Sequence, residues 1–261
     1  MKIEFFKYQG TGNDFIIMDN RDRVYSALSP AQVKHLCDRR FGIGADGLML
    51  LNDRINYDFE MKYYNADGNE SSMCGNGGRC LVRFASHVGI QKNMYRFIAI
   101  DGDHIAEIDH NNNEVRLKMK DVNHVEKNLT HSVLNTGSPH YVKFVADVAK
   151  LDVYKAGHEI RNSAEFAKEG INVNFVETLS ADTIYVRTYE RGVEDETLSC
   201  GTGVTASALI AAHNENGFNH VNVKTPGGSL SVEYEKINAQ HFRNIWLCGP
   251  ATFVYKGAIE L

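Results

Sequence analysis

Two stretches decide the reading of this chain: NESSMCGNGGRC (Asn69–Cys80) and DETLSCGTGVTA (Asp195–Ala206). Each has Glu, three residues, then Cys-Gly-x-Gly. Cys74 and Cys200 lie 126 positions apart in a chain of 261 residues. At that offset, without gaps, Tyr63 falls on Tyr189, Glu70 on Glu196, Gly75 on Gly201 and Gly77 on Gly203. Near the starts of the halves, Phe15 in GTGNDFII falls on Tyr141 in TGSPHYVK. A period this long does not describe a solenoid. It predicts two similar domains related by duplication.

Each cysteine follows a run rich in β-branched and aromatic residues and precedes a helical pattern. Strands are predicted in KIEFFKYQ, NDFIIMDN, DFEMKYYN and NEVRLKMK, and again in HYVKFVAD, VNFVETLS, TIYVRTYE, VNVKTPGG, LSVEYEK and ATFVYKG. After Cys74, residues Cys80, Leu81, Phe84, Ala85 and Val88 recur on one helix face. After Cys200, GVTASALIAAH is apolar nearly all round, the pattern of a buried helix. A third helix is predicted over SPAQVKHLCDRR, opened by Ser29 and Pro30, with Val33, Leu36 and Cys37 facing inward. The polar stretch DVNHVEKNL places the boundary between an N-terminal domain, 1–121, and a C-terminal domain, 122–249.

Composition narrows the function. Hydrophobic residues make up 43% and charged residues 23%, enough for a packed core. A net charge of −5 does not favour nucleic acid or an anionic membrane. No apolar run reaches membrane-spanning length, and the N-terminus lacks a signal-peptide pattern, so a cytoplasmic protein is expected. Five cysteines, with no CxxC, fit neither a disulfide framework nor a standard zinc spacing. No metal is expected.

A cysteine at a helix start lies in the field of unpaired N–H groups, which favours the thiolate. The neighbouring glycines let backbone N–H groups approach an anion such as a carboxylate. A phosphatase loop needs Arg six positions after Cys, and Arg79 comes one position early. A Cys-His hydrolase leaves the second loop unexplained. Two cysteines drawn from separate domains make an unusual redox pair. Two sulfurs on opposite faces of one carbon, one taking a proton and one giving it, use both loops and invert the carbon.

The blocks GTGNDF, GIGADGLM, YYNADGNESSMCGNGGRC, TGSPHYV, YERGVEDETLSCGTGVTA and VKTPGGSLSVEY together resemble the diaminopimelate epimerase family along nearly the whole chain. The resemblance implies an α+β fold of two pseudo-symmetric domains. Each would be a curved, barrel-like mixed or antiparallel sheet around a central helix, with the active site in the interdomain cleft and the last strand, about 250–261, returning to the first domain. It implies epimerisation of LL-diaminopimelate to the meso form without cofactor or metal, a small-molecule amino-acid substrate and a homodimer. By motif, Cys74 and Cys200 would be the acid-base thiols. N–H groups of Gly75, Asn76, Gly201 and Thr202 would hold the reacting carboxylate, and Asn13 and Asn65 would contact the substrate. Asn172, Glu190 and Arg191 would bind the distal amino-acid end, while His140 and Glu190 tune the thiols. Gly47 stands where some members carry Gln, and Ser138 where many carry Asn, so distal recognition is expected to be rearranged. The alternative is a racemase or epimerase of the same group acting on proline, hydroxyproline or histidine.

Overall fold

The alternating stretch KIEFFKYQG folds as β1 (Lys2–Gly10), buried at every second position over its first half. It turns into β2 (Asn13–Asp19) through Thr11 and Gly12. Both turn residues take positive φ, 50° and 83°, which a right-twisting two-residue hairpin requires. For the β-branched Thr11 that conformation is strained. The computed structural model describes residues 2–112, 114–211 and 215–261.

Chain order continues with α1 (Pro30–Cys37), β3 (Gly47–Asn52), β4 (Phe59–Asn65), β5 (Glu70–Ser71) and α2 (Gly75–His87). Next come β6 (Met94–Ala99), β7 (Gly102–Asp109) and β8 (Glu114–Lys118). The second half holds β9 (Val125–Lys127), β10 (Ser132–Asn135), β11 (Pro139–Phe144), α3 (Val153–Arg161), β12 (Asn172–Ser180) and β13 (Thr183–Glu190). It ends with β14 (Asp195–Thr197), α4 (Gly201–Ala211), β15 (Gly217–Thr225), β16 (Gly228–Lys236), β17 (Phe242–Pro250) and β18 (Thr252–Glu260). Two compact units result: Met1–Leu117 with Gly249–Leu261, and Lys118–Cys248.

The units have the same topology. In the first, the strands run β18, β1, β2, β3, β4, β6, β7, β8; only β2–β3 and β4–β6 are parallel. In the second, they run β9, β10, β11, β12, β13, β15, β16, β17; only β11–β12 and β13–β15 are parallel. Each parallel pair is joined through a helix, as a crossover demands. The offset survives at the level of register. Phe15 pairs with Gly47 and Tyr141 with Val173, each member of the second pair 126 positions after its counterpart. The protein is thus an α+β fold of two pseudo-symmetric domains, each sheet packed around a central helix. α2 touches β1, β2, β3, β7 and β18, and α4 touches β10 to β13, β15 and β16.

The helix after Cys74 differs from the one-sided pattern read from sequence. Beyond Cys80, Leu81, Phe84 and Ala85, it also buries Arg79, Val82 and Ser86. α4 is buried through Leu209; Ala212 and His213 of the expected helix lie outside the described residues, as does Asn113 of the strand read from NEVRLKMK. α1 carries the expected Ser29 cap, completed as a capping box by Gln32, and buries Val33, Leu36 and Cys37. Cys80 and Cys248 are core residues too, both nearly fully buried.

α3 was not evident in the sequence. Gly157 sits at its centre, where a β-carbon would come within 2.3 Å of the Tyr189 Cβ. This close approach gives a prediction of opposite sign to helix propensity. Gly to Ala in a helix interior ordinarily stabilises by about 1 kcal/mol. At Gly157 overpacking wins, and Gly157→Ala should destabilise by about 1–3 kcal/mol in denaturant titration.

Candidate active site

Both cysteines occupy the same backbone position. Cys74 is the N-cap of α2, with extended φ −91° and ψ 132°. Its carbonyl accepts from Gly78 N at 2.7 Å, and the Cys200 carbonyl accepts from Val204 N at 2.8 Å. Each therefore opens its helix, and the N–H groups that follow have no acceptor within the helix. Because each helix is enclosed by its sheet, its N-terminus is the end that carries the glycines and the sulfur. Cys74 is half-buried and Cys200 is buried.

In the first unit the structure brings Asn13, Cys74, Gly75 and Asn76 together. Cys74 Sγ donates to Asn13 Oδ1 at 3.5 Å, and Asn76 Nδ2 donates to the same oxygen at 3.3 Å. Thr11 Oγ1 reaches Asn76 Oδ1 at 3.5 Å, so the strained turn rests on the first turn of α2. Arg79, wholly buried, donates to Asn76 Oδ1 at 3.0 Å and to the Gly75 carbonyl at 3.3 Å. Asn65 ends β4, exposed, with its backbone N–H on Asn69 O at 3.0 Å.

In the second unit Cys200 lies against Thr202 at the start of α4, Ser138, Asn172 and Arg191 are joined by hydrogen bonds, and His140 lies beside Gly203. Cys200 Sγ lies 3.5 Å from Thr202 Oγ1, and Thr136 Oγ1 donates to the Thr202 carbonyl at 2.8 Å. Asn172 Nδ2 donates to Ser138 Oγ at 2.9 Å, and Asn172 Oδ1 accepts from Arg191 N at 2.9 Å. Arg191 Nη2 also reaches Ser138 Oγ at 3.3 Å. Ser138 thus ties together two residues read as distal contacts. Glu190 closes β13 beside them, with its carbonyl accepting from Glu194 N at 2.8 Å. Gly47 leaves no room for a longer side chain, since a β-carbon there would lie 2.5 Å from Tyr63 Cε2.

His140 is fully buried. Asn174 Nδ2 donates to its Nδ1 at 3.1 Å and to the Tyr141 carbonyl at 3.0 Å, while Thr188 Oγ1 donates to Asn174 Oδ1 at 3.0 Å. This network assigns the ring proton to Nε2, which has no hydrogen-bond partner among the described residues. Burial, with the positive Arg191 nearby, pushes the imidazole pKa down to about 3 against the Asn174 hydrogen bond. His140 is therefore neutral at pH 7.

Glu70 and Glu196 act as anchors. Glu70 pairs with Lys62 on β4 at 3.5 Å, and Glu196 takes the Arg187 guanidinium of β13 through both oxygens at 2.6 and 2.7 Å. Each fixes the short strand that leads to its cysteine.

The sequence profile of "Diaminopimelate epimerase" matches residues 5–125 and 132–254. The diaminopimelate epimerase of Flavobacterium psychrophilum is 49% identical over 98% of this chain and 100% of its own length. That of Chlorobaculum tepidum is 42% identical over 97% and 99%. Among solved structures, a Bacillus anthracis phenazine biosynthesis protein of the PhzF family superposes with a TM-score of 0.76 at 14% identity, covering 100% of both chains. A hydroxyproline epimerase from Agrobacterium vitis, with bound trans-4-hydroxy-L-proline, gives 0.69 at 12%, covering 99% of this chain and 92% of its own. These likenesses define the class: an isomerase built from two pseudo-symmetric α+β domains. The chain belongs to the diaminopimelate epimerase family.

The buried His140 predicts a pH effect. An unfolded His binds a proton below about pH 6.5, whereas the folded one resists until about pH 3. Between those values the unfolded state holds more protons, so His140 lowers stability as pH falls. His140→Gln should lose less stability than the parent between pH 7 and pH 4, measured by urea titration. Equal losses would mean that His140 is protonated in the fold.

Proposed function

We propose that this protein converts LL-diaminopimelate to the meso form, with Cys74 and Cys200 as exchangeable base and acid at one α-carbon. The observation that carries the reading is the cysteine at the start of the enclosed helix in both units. One such cysteine reads as a core residue, but two at matched positions beside glycine-lined N–H groups read as chemistry. The relatives' names supply the substrate, and no metal or organic cofactor enters any step.

An α-proton is a weak acid, so the carbanion that forms needs stabilisation. N–H groups of Gly75, Asn76, Gly201 and Thr202 would hold the reacting carboxylate and the charge that develops on it. Asn13 and Asn65 would contact the substrate from the first unit. Asn172, Glu190 and Arg191 would take the distal end, where Arg suits a carboxylate and the Asn and Glu oxygens suit an ammonium. A neutral His140 beside the start of α4 adds no positive charge there. Glu190 would tune the thiols from the end of β13.

Among the described residues no helix is long and apolar enough to cross a membrane. We place the protein in the cytoplasm as a homodimer, for which light scattering should give twice the 29.3 kDa of one chain.

In D2O the enzyme should place deuterium at the product α-carbon. Cys74→Ala and Cys200→Ala should each lower epimerisation by at least ~10²-fold while leaving the circular dichroism spectrum unchanged. Full activity in either variant would end the two-thiol mechanism. Faster turnover of proline, hydroxyproline or histidine than of diaminopimelate would overturn the substrate assignment.

A further inference from the structure

We infer that Asp46 is the positioning residue that sets the orientation of the Asn13 amide at Cys74. The inference rests on the reading of Asn13 as a substrate contact.

The first observation is a hydrogen-bond chain with a fixed direction. Arg79, which can only donate, gives Nη2–H to Asn76 Oδ1 at 3.0 Å. Asn76 Nδ2 donates to Asn13 Oδ1 at 3.3 Å. Asn13 Nδ2 donates to Asp46 Oδ2 at 2.6 Å. A carboxylate can only accept, so both ends of the chain are unambiguous. Turning the Asn13 amide over would set two oxygens against each other at Asp46 and two NH2 groups against each other at Asn76. The Asn13 oxygen must therefore face Cys74, whose Sγ lies 3.5 Å away.

The second observation is what holds Asp46. Its Oδ2 also accepts from Asp14 N at 3.1 Å, and its Oδ1 pairs with Arg39 Nη2 at 2.7 Å. Arg39 grips Asp14 through both nitrogens at 3.0 and 2.6 Å, and Lys7 reaches Asp14 at 2.7 Å and the Gly44 carbonyl. Lys7, Arg39, Asp14 and Asp46 form a balanced set of two cations and two anions. The Asp46 carboxylate is thus aimed at Asn13 by its own partners.

The third observation is the internal symmetry. Asp46 stands 126 positions before Asn172, and Asp14 the same distance before His140. In the second unit His140 pairs with Asn172 across β11 and β12. In the first, Asp46 N donates to the Asp14 carbonyl at 3.0 Å. Asn172 holds the start of β11 through Ser138 and Pro139, as Asp46 holds the start of β2 through Asn13 and Asp14. The two positions perform the same structural task, yet only the amide in the second unit was read as part of the site.

A double-mutant cycle on the full-length enzyme tests this, with kcat and KM for LL-diaminopimelate and a thermal melt for each protein. In Asp46→Asn the new amide has one oxygen to share between Arg39 and Asn13, so one bond is lost. Asn13→Ala and Asp46→Asn should each lower kcat/KM about tenfold or more. In the Asn13→Ala background, Asp46→Asn should change it by less than about twofold, because a residue acting through Asn13 has nothing left to position. The loss in Asp46→Asn should fall mainly on kcat. Asp46→Glu keeps the charge for Arg39, displaces the carboxylate from Asn13, and should reproduce the same non-additivity where Asp46→Asn fails to fold. Losses that multiply across the cycle would overturn the inference and leave Asp46 a purely structural residue. Wild-type kcat/KM in Asn13→Ala would instead overturn the assignment of Asn13 to the site.

Discussion

A helix buried on all sides can communicate with solvent or substrate only through its ends. α2 and α4 are such helices, and most of what surrounds them follows from that constraint. A flat sheet covers one face of a helix. Enclosing one requires strands on several sides, and the repeated pattern of antiparallel pairs broken by two parallel crossovers provides them. Small residues let the strands come close. A β-carbon on Gly203 would lie 2.2 Å from Asn174 Oδ1, so the start of α4 packs directly on the amide that holds His140. The N-terminus, with its unpaired N–H groups and partial positive charge, is where an anion is welcome. Placing cysteine there puts sulfur and anion cradle within the same few atoms.

The offset between the two cysteine loops makes the duplication legible in the sequence, and the fold class follows from the family resemblance that those loops help to carry. Other features were hidden for identifiable reasons. β3 is buried at every position, so GLMLLN shows no alternation and reads equally as core helix or strand. α3 is short and carries Gly157, which lowers helix propensity and is retained because Tyr189 occupies the space beside it. The spacing of Cys80, Leu81, Phe84, Ala85 and Val88 gives α2 one apolar face, and nothing in that spacing reveals that Arg79 is buried as well, since charged side chains are almost never fully buried unless paired. Its position becomes intelligible through its partners, the Asn76 oxygen and the Gly75 carbonyl. The cysteine helix starts and the GTGNDF loop stand out in the sequence through their motifs. Asp46 does not, although the same offset, applied to Asn172, lands on it.

Duplication also explains where the halves diverge. The backbone positions coincide: Asn76 with Thr202 in the first turns of α2 and α4, and Asp46 with Asn172 and Asp14 with His140 at the β2–β3 and β11–β12 pairings. The chemistry at those positions does not. The first unit surrounds its thiol with an amide chain anchored by charges at both ends, and Asp14 is kept ionised: burial pushes its carboxyl up, but Arg39 and Lys7 outweigh this and hold it well below the usual range. The second unit replaces these charges with neutral hydrogen-bonding groups around a neutral histidine, and leaves Arg191 as its cation. Repetition delivers the same cysteine-led helix start twice. Unlike surroundings for the two cysteines are something that repetition alone cannot deliver. The positions that changed after duplication, rather than those that stayed, are therefore what sets the two units apart chemically.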